Sequence, residues 1–175
     1  MANTTFDGPV RSKNGFQSIG PGAAVALTLA TNLTVAAHAG RLLTMDPAGT
    51  PTAITLPTIN STADNPIAGP GSDPSNPNTV GTTFEILFID EFTGTISTDG
   101  TDKFVGSLMV GVNDGAKKAF VPAAANDVVN LNGEGGGTTG GLIGSRVKFT
   151  AIADNQYMVE GLLIGTGTVV TPFSN

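Results

Sequence analysis

From Ala23 to Leu43 apolar residues recur on alternate positions, at Val25, Leu27 and Leu29 and again at Leu33 and Val35. That is the spacing of two half-buried strands. The Ala-rich Ala36-Ala37-His38-Ala39-Gly40 inside this stretch also suits a short helical turn. Farther on, Ile54 and Leu56 alternate with Thr52, Thr55 and Thr58 between Pro51 and Pro57, which predicts a short strand between proline stops. The clearest strand signal is TTFEILFIDEFTGTIST, residues 82–98. Phe84, Ile86 and Phe88 share one face and Leu87 and Ile89 the other, so both faces are apolar and a central strand is expected. Asp90-Glu91 interrupts the run, Phe92-Thr93-Gly94-Thr95-Ile96 resumes it, and Asp99-Gly100 supplies a hairpin-type turn before KFVGSLMVGV. The simplest arrangement of these segments is a β-meander.

Asp114-Gly115 marks a further turn, followed by KKAFVP and by NDVVNLNG, where Val128, Val129 and Leu131 sit between Asn residues. GEGGGTTGG, residues 133–141, reads as a flexible turn, since glycine loses too much backbone entropy to sit within a helix or strand. In SRVKFTAI, Val147, Phe149 and Ala151 face one way and Arg146, Lys148 and Thr150 the other, and Asp154-Asn155 turns the chain into QYMVEGLLIG. This predicts a hairpin with one wet face. Many short strands with Gly, Asn and Asp turns predict an all-β fold: a β-sandwich, jelly-roll-like fold or small barrel of short antiparallel strands. The pattern leaves strand order open.

Two stretches break the alternation. Residues 1–22 carry lone apolar anchors, Phe6, Val10, Phe16 and Ile19, among polar and turn-forming residues, and read as an extended N-terminal arm. Such a segment is either a frayed terminus or an arm that docks Phe6 and Phe16 on a neighbouring subunit. Residues 60–82 carry Pro66, Pro70, Pro74 and Pro77 among Gly, Ser, Asn and Asp, and read as a long loop within a single β-domain spanning 23–175. Loops of this length are usually either functional or mobile, which makes Ile67 and Pro70 candidate subunit contacts beside the four anchors of the arm.

Composition narrows the function classes. At 175 residues, 39% hydrophobic and 13% charged, the chain suits one folded core. It has no cysteine, which removes disulfides, thiolate metal sites and a cysteine nucleophile. A net charge of -6 and a pI near 4.4 oppose binding to a phosphate backbone, so no nucleic-acid partner is expected. Ala23–Ala30, behind Arg11 and Lys13 and ahead of Ala37-His38-Ala39, imitates a secretion signal. It lies too far from Met1 and is interrupted by Thr28, Thr31 and Asn32, so that reading fails. No apolar run approaches the ~20 residues that span a bilayer, and no membrane role is expected.

Candidate chemistry is sparse. His38 is the single histidine, so a serine–histidine–carboxylate triad would have to run through it, and no nucleophile-elbow motif accompanies it. Gly135, Gly137 and Gly140 satisfy GxGxxG, but GLIGSRVKFTAI follows with strand alternation where a dinucleotide site needs a helix N-terminus. Paired acids at Asp90-Glu91 and at Asp99 with Asp102 suit acid–base work or calcium in principle. Neither pair matches a complete ligand loop, and neighbours on a strand point to opposite faces. With no Trp and one Tyr, the chain lacks the stacking platforms of a typical sugar cleft. No cofactor, metal or catalytic residue is expected.

The opening MANTTFDGPVRSKNGF, the central AITLP and FEILFIDEFTGTISTDGTDKFVGSL, and the closing LNGEGGGTTGGLIGSRVKFTAIADNQYMVEGLLIGTGTVVTPF resemble small head proteins of tailed bacteriophages. Among these the chain is most similar to capsid decoration, or cement, proteins. The resemblance implies a compact, often trimeric β-domain on the outer surface of the virion head, with the major capsid protein as its partner and no catalytic residues. A host-surface or glycan-binding head appendage is the alternative, with GEGGGTTGG or the proline-rich loop as its tip.

Overall fold

The computed structural model describes residues 24–46, 52–61, 79–112, 115, 117–134 and 137–175. Its elements are β1 (Ala24–Leu27), β2 (Thr31–Asn32), α1 (Val35–His38), β3 (Leu42–Met45), β4 (Thr52–Thr55), β5 (Thr83–Phe88), β6 (Thr93–Ser97), β7 (Lys103–Val112), β8 (Lys117–Phe120), β9 (Val128–Asn132), β10 (Arg146–Ala153), β11 (Gln156–Gly165) and β12 (Phe173–Ser174). They form two mixed sheets packed together, a seven-stranded one in the order β1-β3-β5-β10-β11-β7-β8 and a five-stranded one in the order β12-β9-β6-β4-β2. The protein is an all-β, sandwich-like fold.

The first six strands alternate between the sheets. β1, β3 and β5 lie side by side and parallel in the large sheet; β2, β4 and β6 do the same in the small one. The chain therefore winds three successive rungs, each crossing from one sheet to the other. This corrects the meander: β5 and β6 lie in different sheets, and Asp99-Gly100 joins β6 of one sheet to β7 of the other instead of closing a hairpin. Purely antiparallel pairing is corrected too, since β7 also runs parallel to β11 over ten residues each. The physical reason is that period two reports which side of a strand faces the core, not which strand lies beside it. Where the prediction was local it holds: β10 and β11 form the antiparallel hairpin, with Asn155 at φ 58 in its turn.

Facing rows of apolar side chains make the core. In the large sheet Leu27, Met45 and Phe88 are aligned across three strands. Phe84, Phe149 and Val159 form a second row, and each of these six residues is at most 2% exposed. Ile54, Ile96, Val129 and Phe173 form the matching row of the small sheet. Phe104 joins the layers, its ring 5.4 Å from Phe149 and 6.4 Å from Phe173. Full burial of such a side chain stabilises by roughly 1.5–3 kcal/mol. The corner after β5 follows from its residues: Asp90 and Glu91 are exposed, while Phe92 is fully buried and stacks on Phe88 at 5.6 Å. Gly106 in mid-β7 adopts φ +105, and a Cβ there would stand 2.3 Å from the Val159 carbonyl oxygen. Any other residue would push β7 away from β11.

Candidate interaction surface

Along the outer face of the large sheet, cross-strand register sets charged and apolar rows side by side. Glu85, Lys148 and Glu160 are aligned across β5, β10 and β11. Lys148 Nζ meets Glu160 Oε1 at 3.1 Å, and Arg146 meets Glu85 at 3.4 Å. One row away, Leu162 of β11 lies beside Met109 of β7, and Ile164 lies beside Gly111. Gly111 offers no side chain, so a groove of about 400 Å³ opens there, lined by Met109, Gly111, Val112, Leu162, Leu163 and Ile164 with Lys117 at its side. Met109 and Leu162 are each 47% exposed. A Cβ at Gly111 would touch only Lys117 Cγ, at 3.6 Å, so nothing in the packing forces this position to be empty. Clustered apolar side chains facing solvent are the usual mark of a protein contact surface.

The glycine-rich segment packs against β11 and is built in, which corrects the reading of GEGGGTTGG as a flexible turn for its described residues. Gly133, Gly137, Gly140 and Gly141 are all buried. Thr166 N donates to Gly137 O at 2.7 Å, Asn132 N to Gly140 O at 2.8 Å and Phe92 N to Gly141 O at 2.8 Å. A Cβ on Gly137 would lie 1.9 Å from Asn132 O, and one on Gly140, at φ +92, 2.5 Å from Leu163 Cβ. These glycines allow backbone to pass against backbone and against the inner wall of β11. The next element is β10, so GxGxxG meets no helix.

His38 ends the single turn α1. Its Nδ1 accepts from Thr34 N at 2.9 Å, and Thr34 Oγ1 in turn accepts from Ala37 N at 3.3 Å. The imidazole thus serves a local cap, in the short helical turn that Ala36–Gly40 suggested.

The paired acids are likewise occupied. Asp90 Oδ1 accepts from Glu91 N at 2.8 Å. Asp99 Oδ1 accepts from Thr101 N at 2.9 Å and Asp102 N at 3.1 Å, and Oδ2 from Thr58 Oγ1 at 2.8 Å. Partial burial pushes the Asp99 carboxyl up, but these donors outweigh it and hold the group below its ordinary range. Asp102 is fully buried and its Oδ2 accepts from Ile59 N at 2.9 Å, while Oδ1 has no hydrogen-bond partner among the described residues. Burial, helped by the Asp99 and Asp154 charges, raises its pKa. Tyr157, raised chiefly by burial, donates its hydroxyl to Pro57 O at 2.7 Å. Asn60 and Thr79 then close the base of the proline-rich loop, with Asn60 N on Thr79 Oγ1 at 2.8 Å and Thr79 N on Asn60 O at 2.9 Å. The acidic corner therefore clamps the segment 57–60. Among the described residues no group of three His, Cys, Asp or Glu is arranged to hold a metal ion.

The contacts proposed from sequence, Phe6, Val10, Phe16, Ile19, Ile67 and Pro70, all lie outside the described residues. The groove residues were legible as strand, yet nothing in their alternation distinguished Met109 and Leu162 as surface. Their only signal was an apolar residue on the face that Glu160 and Ser107 mark as wet. Comparison with protein-family models, with curated proteins and with solved structures finds no match.

Proposed function

We propose that this protein is a non-enzymatic structural subunit that binds the outer surface of a phage capsid and stabilises the shell by bridging major capsid subunits. The observation that carries the binding role is the apolar groove between β7 and β11, open on a sheet face whose neighbouring rows are charged or polar. The capsid as partner rests on the sequence resemblance. Such a protein acts by mass action: a ligand that binds the assembled shell and not its separated subunits shifts the equilibrium toward the shell. The uses found for His38, Asp99 and Asp102, a cap and a clamp, fit a role without bond chemistry. Self-association into a homotrimer belongs to the same reading, since an oligomer covers apolar surface and sheet edges.

Co-sedimentation of the purified protein with phage heads lacking it tests the proposal. Saturable binding, and heads that survive higher temperature once decorated, is the expected result. A protein that stays in the supernatant with heads but pellets with host cells is the result that replaces this reading with an adhesin.

A further inference from the structure

The groove is a break in a row of side chains. In the register of the large sheet Gly111 of β7 lies between Ile164 of β11 and Lys117 of β8, whereas the next row, Leu162, Met109 and Ala119, is continuous. Strands stand about 4.8 Å apart, so Ile164 and Lys117 flank a gap of roughly 10 Å with no side chain between them. The Lys117 stem borders that gap, its Cγ 3.6 Å from where a Gly111 Cβ would stand. Such stems cover apolar surface while the ammonium stays in water. Lys117 is the one charged residue among the described residues that line the groove. The wider sheet repeats its sign. The strands of that sheet carry Lys103, Lys117, Lys118, Arg146 and Lys148 against Glu85 and Glu160, a surplus of cations in a chain of net charge -6.

We propose that the groove takes an acidic, apolar segment of the partner protein: an aliphatic or aromatic side chain seated over Gly111, with a carboxylate beside it on the Lys117 ammonium. This assignment rests on the groove being the contact surface proposed above, and adds the chemistry of what enters it. The anchor must be apolar, because Ile164, Leu162 and Met109 offer a buried polar group no hydrogen bond. The charge beside it must be negative, because a cation at the rim would meet Lys117 with little water between them. One ion pair at the rim adds little affinity, but it sets which way round the segment lies and speeds encounter. A second copy of this chain is the rival occupant, since Ile89 is 48% exposed and is followed by the exposed Asp90 and Glu91. Two chains of net charge -6 repel at long range, which favours a different partner.

Two dyes test this on the full chain without any capsid: anilinonaphthalene sulfonate, an aromatic anion, and Nile red, which is neutral. Both are expected to bind the wild type saturably and to lose their site in Gly111→Leu, which fills the gap. A Cβ at Gly111 meets only the Lys117 stem, so that variant should melt with the wild type. Lys117→Gln keeps the stem and removes the charge; it should weaken the anionic dye by about two- to five-fold, the range of one exposed ion pair, and leave Nile red unchanged. Equal affinity of the anionic dye for wild type and Lys117→Gln, or a dye site that survives Gly111→Leu, would overturn the proposal. Met109 oxidation in the free protein that falls as protein concentration rises would give the groove to a second copy, and overturns it too. Sedimentation with phage heads separates this claim from the capsid reading. Lys117→Glu should lose the heads and Lys117→Arg keep them. Heads that bind wild type and Lys117→Glu alike sink the acidic segment alone, whereas heads that ignore the wild type sink the capsid reading and leave the dyes to decide the chemistry of the groove.

Discussion

Replacing Asp102 separates two effects that the acidic corner combines. Its Oδ2 is the acceptor for Ile59 N at 2.9 Å. Asp102→Ala leaves that buried donor unpaired, at a cost of about 1–3 kcal/mol. In a domain of this size 1 kcal/mol corresponds to roughly 2–4 °C, so a loss near the middle of that range lowers Tm by about 4–8 °C. Asp102→Asn keeps an oxygen for Ile59 N and removes the titration. Because burial raises the Asp102 pKa, the folded protein holds this proton more tightly than the unfolded chain does. Its contribution favours the fold fully below the ordinary carboxylate range and is lost as pH rises through the raised value. Thermal melts of the three proteins at intervals between pH 4 and 7 give both quantities. The expected result is Asp102→Ala well below Asp102→Asn throughout, with wild type losing ground to Asp102→Asn as pH rises. Alanine and asparagine variants melting together, or a wild type that gains on Asp102→Asn toward neutrality, would refute the reasoning.

Asp99 should show the opposite sign: its pKa is lowered, so the stability it adds is present above the ordinary carboxylate value and disappears on acidification. Asp99→Asn is therefore expected to melt below wild type at pH 7 and to converge with it in strong acid. Phe149→Ala empties the fully buried position beside Phe104 and should cost about 3–5 kcal/mol, read as a lower urea midpoint at unchanged slope. Gly140→Ala combines a left-handed backbone with a Cβ 2.5 Å from Leu163 Cβ, and should destabilise by at least the ~1–3 kcal/mol of such strain. An unchanged urea midpoint in that variant would return the glycine-rich segment to the role of a free turn.

Strand existence was legible because alternation records burial directly: Phe84, Ile86 and Phe88, and Val147 and Phe149, are buried as their pattern demands. Pairing was not. β6 has Ile96 inward and polar residues around it whether it lies beside β5 or across the core from it, and it lies across. Leu29 shows the limit of the pattern, since it continues the period of Val25 and Leu27 yet stands 65% exposed after β1 has ended. The glycine run was read from composition alone, which reports backbone freedom and not the close approach that here requires it. The groove escaped notice because it depends on the parallel register that sets Gly111 beside Ile164, a long-range pairing with no local signature.

The central claim is that the β7–β11 face is the surface buried on a partner shell. Oxidative footprinting of the protein free and bound to heads addresses it directly, because Met109 is 47% exposed and Met45 is fully buried. The account predicts that binding protects Met109 and Leu162 while Val121 and Leu29 label as before. Met109 and Leu162 labelling equally in the free and bound protein would contradict it.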